Sequence, residues 1–254
     1  MQLQYEQSFL RAAKKVQQLT NEKDIENFPL PIKQVIKEDK SVHLLTYKQA
    51  AEINKCEIKD IAQFGKSNEA FHIQINEISF IIYNDEMYYK RLRFTLAHEY
   101  GHLKLNHGGT TLNRNKTFRD KTRVKLEEYE ANTFASCLLF PLNLRYKYRE
   151  YMSIPEIADL FQISESSASI AMKILDNHLD NGLEEVISVY EHKQFSTYIS
   201  YLDELLQDRI EYLQSINQEY ANWFHEEYEI YTKEEQNRMY KEVMDFNLIH
   251  FTGY

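Results

Sequence analysis

Two histidines and a glutamate stand close together in the stretch FTLAHEYGHLKLNHGG, residues 94–109. His98 and His102 are four residues apart, so on a helix their imidazoles project from one face and can bind the same metal ion. Imidazole nitrogens suit zinc, and a catalytic zinc usually has three protein ligands and a water. Glu99 stands beside the first histidine, where its carboxylate can take a proton from that water. The stretch therefore predicts a hydrolytic zinc centre.

A third metal ligand is expected on a second helical stretch, KLEEYEANTFASCLLFP. Three glutamates are available there: Glu127, Glu128 and Glu130. Glu128 shares one side of the helix with Asn132, whereas the other two glutamates share a different side, where they are expected to be solvated charges. The spacing favours Glu128 as the ligand and places Asn132 within reach of the second nitrogen of a ligand histidine. Glu127 and Glu130 remain alternatives.

A glycine inside the motif helix predicts close helix packing. Gly101 costs about 1 kcal/mol of helix stability relative to alanine. Together with Ala97 it forms a strip of small residues, and Ala131 and Ala135 form another on the glutamate helix. Two such strips let the helices approach closely, and a contact that a side chain would block offsets the cost of the glycine.

Hydrophobic periodicity predicts the elements that position these residues. Residues 70–75 and 79–84 alternate as an antiparallel hairpin. The motif helix is expected over about 90–106, with His107 and the two glycines after it as its C-cap. The glutamate helix is expected over about 124–139. Further predictions are a helix over 6–19, a helix from about Pro31, a strand over 42–47 and a short helix directly after it.

The two helical motifs, RLRFTLAHEYGH and EYEANTFASCLLFP, resemble the ImmA/IrrE family of metallo-endopeptidases. The resemblance covers roughly residues 25–176 and implies a zincin-like domain. It implies that His98, His102 and Glu128 bind zinc and that Glu99 is the catalytic base.

Known members of the family cleave a helix-turn-helix repressor, which relieves silencing of a mobile element or of stress genes. The resemblance therefore implies a site-specific zinc endopeptidase with such a repressor as its protein partner. Two positions depart from the family pattern. Tyr100 stands where an aliphatic residue is commoner, and His107 is displaced by Asn106, so His107 is given no role.

The chain is expected to have three parts: a zincin-like protease domain over 1–145, a helix-turn-helix-like helical segment over 146–180, and an acidic, mainly helical region over 181–254. The last region holds 15 acidic and 5 basic residues, and one long helix is predicted over about 196–225. Direct binding to nucleic acid is disfavoured, because phosphate contacts need basic residues and the second helix of the middle segment offers only Lys173. That helical pair is expected to pack on the protease or to dock a substrate.

Composition predicts a protein of the cytoplasm. No apolar run reaches the 18 or so residues that cross a bilayer, and two cysteines are too few for a disulfide framework. The sequence does not specify an oligomeric state.

The predicted fold class is α+β: a small antiparallel sheet with the motif helix and the glutamate helix, followed by helical segments. The alternative function is a DNA-binding or antitoxin-like regulatory protein with a structural or unused metal site. The intact Glu99 argues against it, because a structural zinc needs no base.

Overall fold

A computed structural model describes residues 2–22, 28–75, 78–107, 121–149, 151–181 and 196–228. These residues form an α+β structure that is mostly helical and has one small sheet. They divide into two compact units, the first from residues 2–146 and 155–181 and the second from 147–154 and 196–228, each with the gaps just given. The domain boundaries expected from the sequence stay predictions.

The N-terminal part of the chain contains both helices and strands. These are α1 (Gln2–Glu22), α2 (Ile32–Lys37), β1 (Val42–Thr46), α3 (Tyr47–Asn54), α4 (Ile58–Gly65), β2 (Ala70–Ile75) and β3 (Ile78–Tyr83). Helices then follow one another: α5 (Tyr89–Lys104), α6 (Lys121–Leu139), α7 (Leu142–Tyr148), α8 (Ile154–Leu160), α9 (Glu165–Asp180) and α10 (Ser196–Tyr228).

The three strands have the order β1-β3-β2. β2 and β3 form the predicted antiparallel hairpin, with Ala70 opposite Tyr83. β1, however, runs parallel to β3, with Val42 opposite Ser79. The prediction of an antiparallel sheet is therefore wrong for β1, and the sheet is mixed. The reason is that α3 and the unpredicted α4 separate β1 from the hairpin, as helical crossovers do between parallel strands.

The C-terminus of α5 is closed by an asparagine rather than by glycine. Asn106 has a φ of 57°, and its N–H donates to the carbonyl of Leu103 at 3.1 Å. The N–H of His107 donates to the carbonyl of His102 at 2.9 Å. These two bonds form a Schellman motif with Asn106 as the left-handed residue, which corrects the expected glycine cap. Gly108 and Gly109 lie outside the described residues.

α5 and α6 pack closely where the sequence places Gly101. A Cβ built on Gly101 would lie 2.9 Å from Cδ1 of Phe134, and the Phe134 side chain is fully buried. The glycine thus faces an aromatic ring, not the alanine strip that the sequence favoured. Ala97, Ala131 and Ala135 are also fully buried. The close approach of α5 and α6 is as predicted. The group that contacts Gly101 is the ring of Phe134 and not an alanine, because a flat ring can fill the space left by the missing side chain.

α8 and α9 are joined by a tight turn. Gln162 has a φ of 52°, and the hydroxyl of Ser164 caps α9 by accepting from the N–H of Ser167 at 3.1 Å. Phe161 between the helices is buried against Phe140, with ring centroids 4.3 Å apart.

The second unit contains α10, a single helix where the sequence predicted one over about 196–225. Asp203 accepts a hydrogen bond from the Tyr148 hydroxyl at 2.9 Å and pairs with Lys147 at 2.6 Å. Arg209 donates to the carbonyl of Tyr151 at 2.7 Å. Among the helices of the described residues, none is both long and apolar enough to span a membrane.

Candidate metal centre

Three predicted ligand side chains meet between α5 and α6. The Nε2 atoms of His98 and His102 lie 3.0 Å apart. Glu128 Oε2 is 3.5 Å from His98 Nε2, and Glu128 Oε1 is 3.6 Å from His102 Nε2. The donor atoms all lie within 4.8 Å of one another. Four-residue spacing puts the two histidines on one face of α5, and the packing of α6 brings Glu128 opposite them.

The arrangement fits a tetrahedral metal ion. Zinc bonds to nitrogen and oxygen are about 2.0–2.2 Å long, so neighbouring ligand atoms of a tetrahedral site are roughly 3.3–3.5 Å apart. The distances from Glu128 to both histidines are close to this value. Two imidazoles and one carboxylate leave a fourth position open, which is the ligand set of a catalytic rather than a structural zinc.

The electrostatics of the three groups also favour a cation. The imidazoles of His102 and His98 beside it hold the pKa of Glu128 well below its usual range, so the carboxylate is ionised at neutral pH. Burial lowers the pKa of His102, which favours the neutral imidazole that a metal requires. Burial also acts to lower the pKa of His98, but Glu128, Glu99 and Asn132 together outweigh it and raise that pKa.

The two alternative glutamates lie elsewhere on α6. Glu127 and Glu130 are both buried, so their interpretation as solvated charges is wrong. Arg123 donates to Glu127 at 3.0 Å, and Arg11 of α1 pairs with Glu130 at 2.7 Å. Basic partners on neighbouring turns and on α1 allow these carboxylates to be buried.

Asn132 lies where the sequence placed it, behind a ligand histidine. Its Oδ1 is 3.0 Å from Nδ1 of His98. Because an amide oxygen only accepts hydrogen bonds, this contact places the His98 proton on Nδ1 and leaves Nε2 free toward Glu128.

His102 contacts His107, a residue for which the sequence predicted no role. His107 Nδ1 lies 2.9 Å from Nδ1 of His102, and His107 Nε2 lies 2.7 Å from Glu130 Oε2. Ser8 of α1 donates to the second oxygen of Glu130 at 2.9 Å. His107 lies one position later than in the family pattern, yet it still belongs to the site, because the Schellman turn places it next to His102. A histidine that directly follows the helix end was the available signal.

Glu99 has a histidine partner that the sequence does not predict. Nδ1 of His72, on β2, lies 2.6 Å from Oε2 of Glu99. The His72 ring also stacks on the His102 ring, with centroids 5.1 Å apart. A single histidine in the otherwise mainly apolar strand AFHIQI was the only sequence signal for this contact.

Tyr100, the unusual residue inside the motif, anchors α5 to the segment before β1. Its ring is fully buried, and its hydroxyl donates to Asp39 at 2.9 Å. Lys104 also pairs with Asp39. Although burial acts to raise the pKa of Asp39, hydrogen bonds from Lys104, Ser41 and Tyr100 lower it well below the usual carboxyl range.

A cleft of about 800 Å³ opens at the site. His98, Glu99 and Asn132 line it. Ala70 of β2 and Ser166 near the start of α9 line it as well. The cleft exposes His98 and Glu99 to a molecule that enters it.

The site and the mixed α+β fold define a metallopeptidase. Residues 54–173 match the family described as the IrrE N-terminal-like domain (Peptidase_M78). This part of the chain is a domain of the ImmA/IrrE family of metallopeptidases, which confirms the resemblance drawn from the sequence. The matched range begins at the last residue of α3 and ends within α9, so it leaves out α1, α2 and β1. Among curated proteins, none matches the chain in sequence.

Proposed function

We propose that this metallopeptidase is a zinc-dependent endopeptidase of the cytoplasm that cleaves a helix-turn-helix repressor at a specific site. Cleavage would relieve repression of a mobile element or of stress genes. The observation that carries the proposal is the position of Glu99, whose carboxylate lines the cleft directly beside the cluster of two histidines and a glutamate. A purely structural metal site would need no such carboxylate.

In this mechanism His98, His102 and Glu128 would hold the zinc ion. When bound, zinc supplies a Lewis acid that polarises a water and the scissile carbonyl. Glu99 acts as general base and accepts the proton of the attacking water, while the hydrogen bond between His72 and Oε2 holds the carboxylate in place. The same carboxylate then passes the proton to the leaving amine.

An extended polypeptide fits the geometry of the cleft. β2 lies at an edge of the sheet, and within the described residues it pairs with β3 alone. An unpaired strand edge offers N–H and carbonyl groups to an extended segment of a partner. Ala70 brings this edge to the cleft wall, so a peptide bound along β2 passes the catalytic base.

The helix-turn-helix-like pair of α8 and α9 is proposed as part of the substrate-docking surface of this zincin-like enzyme. Ser164, Ser166 and Ser167 of the α9 N-terminus line the cleft. Lys173 is the only basic residue of α9 besides His178, and Glu165 begins the helix, so the helix is poorly suited to contact phosphates.

The proposal is tested with the repressor encoded nearest the gene. Purified protein should cut it at one or a few bonds, and a chelator should stop the reaction. Glu99→Gln keeps the size of the side chain but cannot accept a proton, so cleavage should fall by about 10²–10⁴ while bound zinc, measured by elemental analysis, stays the same. The exposed Glu52→Gln is the matched control and should retain full activity. A fully active Glu99→Gln enzyme would refute the mechanism.

A further inference from the structure

A second cavity, of about 410 Å³, adjoins the metal cleft. Its lining comes mainly from α6 and α9, with single residues from α1, α5 and α7. Phe94, Asn132 and Ser167 line both this cavity and the cleft. Because these three residues lie on three different helices, the two spaces meet between them, and a molecule in the cleft can extend a group into the cavity.

The boundary between the two spaces lies next to a metal ligand. Oδ1 of Asn132 is 3.0 Å from Nδ1 of His98. Phe94 stands four residues before His98, so the two side chains project from the same face of α5. A substrate side chain that enters the cavity from the cleft therefore belongs to a residue at or near the scissile bond.

The part of the lining that a ligand can reach is mainly apolar. Ile170 is 58% exposed, and Phe94, Tyr129 and Ile174 are half-buried. An open apolar surface with a few polar groups is typical of a ligand-binding pocket.

Polar residues of the lining already have partners within the protein. Arg145 is fully buried and donates to the carbonyl of Phe140 at 2.7 Å and to the hydroxyl of Ser136 at 2.9 Å. The hydroxyl of Ser167 accepts from that of Ser164 at 2.8 Å. A charged side chain in the cavity would lose its hydration and meet polar groups that are already engaged, so the cavity disfavours it.

We propose that this cavity is the specificity subsite of the enzyme and holds a bulky apolar side chain of the substrate, such as leucine, next to the scissile bond. The inference rests on the peptidase activity proposed above and names the kind of residue at the cleaved bond. Ligand sites have volumes of about 300–1,000 Å³, so a cavity of about 410 Å³ admits one large side chain.

Hydroxamates test the subsite by binding instead of by turnover. A hydroxamate chelates a bound zinc through two oxygens and thereby fixes the probe at the metal. N-acetyl amino acid hydroxamates carry their side chain on the N-terminal side of this group, and 2-substituted succinic monohydroxamates carry it on the C-terminal side. Calorimetric titration of the zinc-loaded full-length protein compares isobutyl, methyl and carboxymethyl side chains in each series.

The isobutyl probe should bind at least about tenfold more tightly than the methyl probe in one of the two series, because an apolar pocket gains about tenfold or more for each methylene it holds. The carboxymethyl probe should bind no more tightly than the methyl probe. In methyl NMR the isobutyl probe should shift the methyl groups of Ile170 and Ile174 more than the methyl probe does.

A substitution in the lining locates the side chain of the probe. Ile170→Glu places a charge at an exposed position of the cavity, so the affinity for the isobutyl probe should fall at least about fivefold, while that for the methyl probe stays the same. Ile53→Glu is the matched control, because Ile53 of α3 is 67% exposed and lies outside the cavity and the cleft. This variant should bind both probes as the wild type does.

Equal affinities of the isobutyl and methyl probes in both series would overturn the subsite and leave the proposed zinc site standing, since both probes would then bind through the metal alone. An Ile170→Glu variant that binds the isobutyl probe as tightly as the wild type would also overturn the subsite. If no hydroxamate bound the zinc-loaded protein, the subsite and the proposed catalytic site would both be wrong.

Discussion

Replacing Gly101 with alanine tests how closely α5 and α6 must approach at the metal centre. The added Cβ would lie 2.9 Å from Cδ1 of Phe134 and 3.1 Å from its Cβ and Cγ. Carbon atoms in good contact are about 3.5–4.0 Å apart, so the two helices or the ring must shift by roughly half an ångström. Rotating the ring does not relieve the contact, because Cβ and Cγ lie at the base of a fully buried side chain.

Two opposing effects set the size of the change in stability. Overpacking a buried site costs about 1–3 kcal/mol, whereas alanine is about 1 kcal/mol better than glycine inside a helix. We expect the free energy of unfolding to fall by about 1 kcal/mol in Gly101→Ala. Metal affinity should fall as well, because moving α5 from α6 separates His98 and His102 from Glu128.

Urea unfolding of the metal-free protein measures the first effect, and competition with a chelating dye measures the second. Phe134→Ala in the same chain removes Cγ and Cδ1, two of the three atoms at the contact, so the double variant should be more stable than the sum of the two single changes predicts. A Gly101→Ala protein that is about 1 kcal/mol more stable than the wild type, with unchanged metal affinity, would refute the close approach.

Three further predictions concern the surroundings of the metal. His107→Ala should lower metal affinity by about 10–100-fold, because a ligand histidine loses the partner of its second nitrogen, whereas the exposed His43→Ala should leave metal affinity unchanged. Glu128→Ala should lose most bound metal in elemental analysis, whereas Glu127→Ala should retain it. The reverse result would mean that Glu127, not Glu128, is the metal ligand. Asp39→Asn should lower the free energy of unfolding at pH 7 by on the order of 1–2 kcal/mol. Because folding lowers the pKa of Asp39, the stability it contributes is present at neutral pH and is lost as the pH falls below about 4. The difference between variant and wild type should therefore shrink in acid, and a constant difference from pH 7 to pH 3 would contradict this account.

The sequence by itself determined which side chains share a helix face at the metal centre. His98 and His102 meet because they are four residues apart on α5, and Glu128 and Asn132 share a side of α6 for the same reason. Helical geometry repeats every 3.6 residues whatever the surrounding fold, so spacing alone carries this information. The resemblance to a family added the expected chemistry.

Only the tertiary structure decided which residues stand behind those ligands. His72 reaches Glu99 across 27 positions of sequence, and Ser8 reaches Glu130 across 122. The parallel pairing of β1 with β3 and the burial of Glu130 likewise depend on elements that are distant in sequence. Local periodicity does not predict these long-range contacts, because the burial of apolar faces on distant elements selects which surfaces meet. A charged side chain is then buried only where that packing supplies its partners.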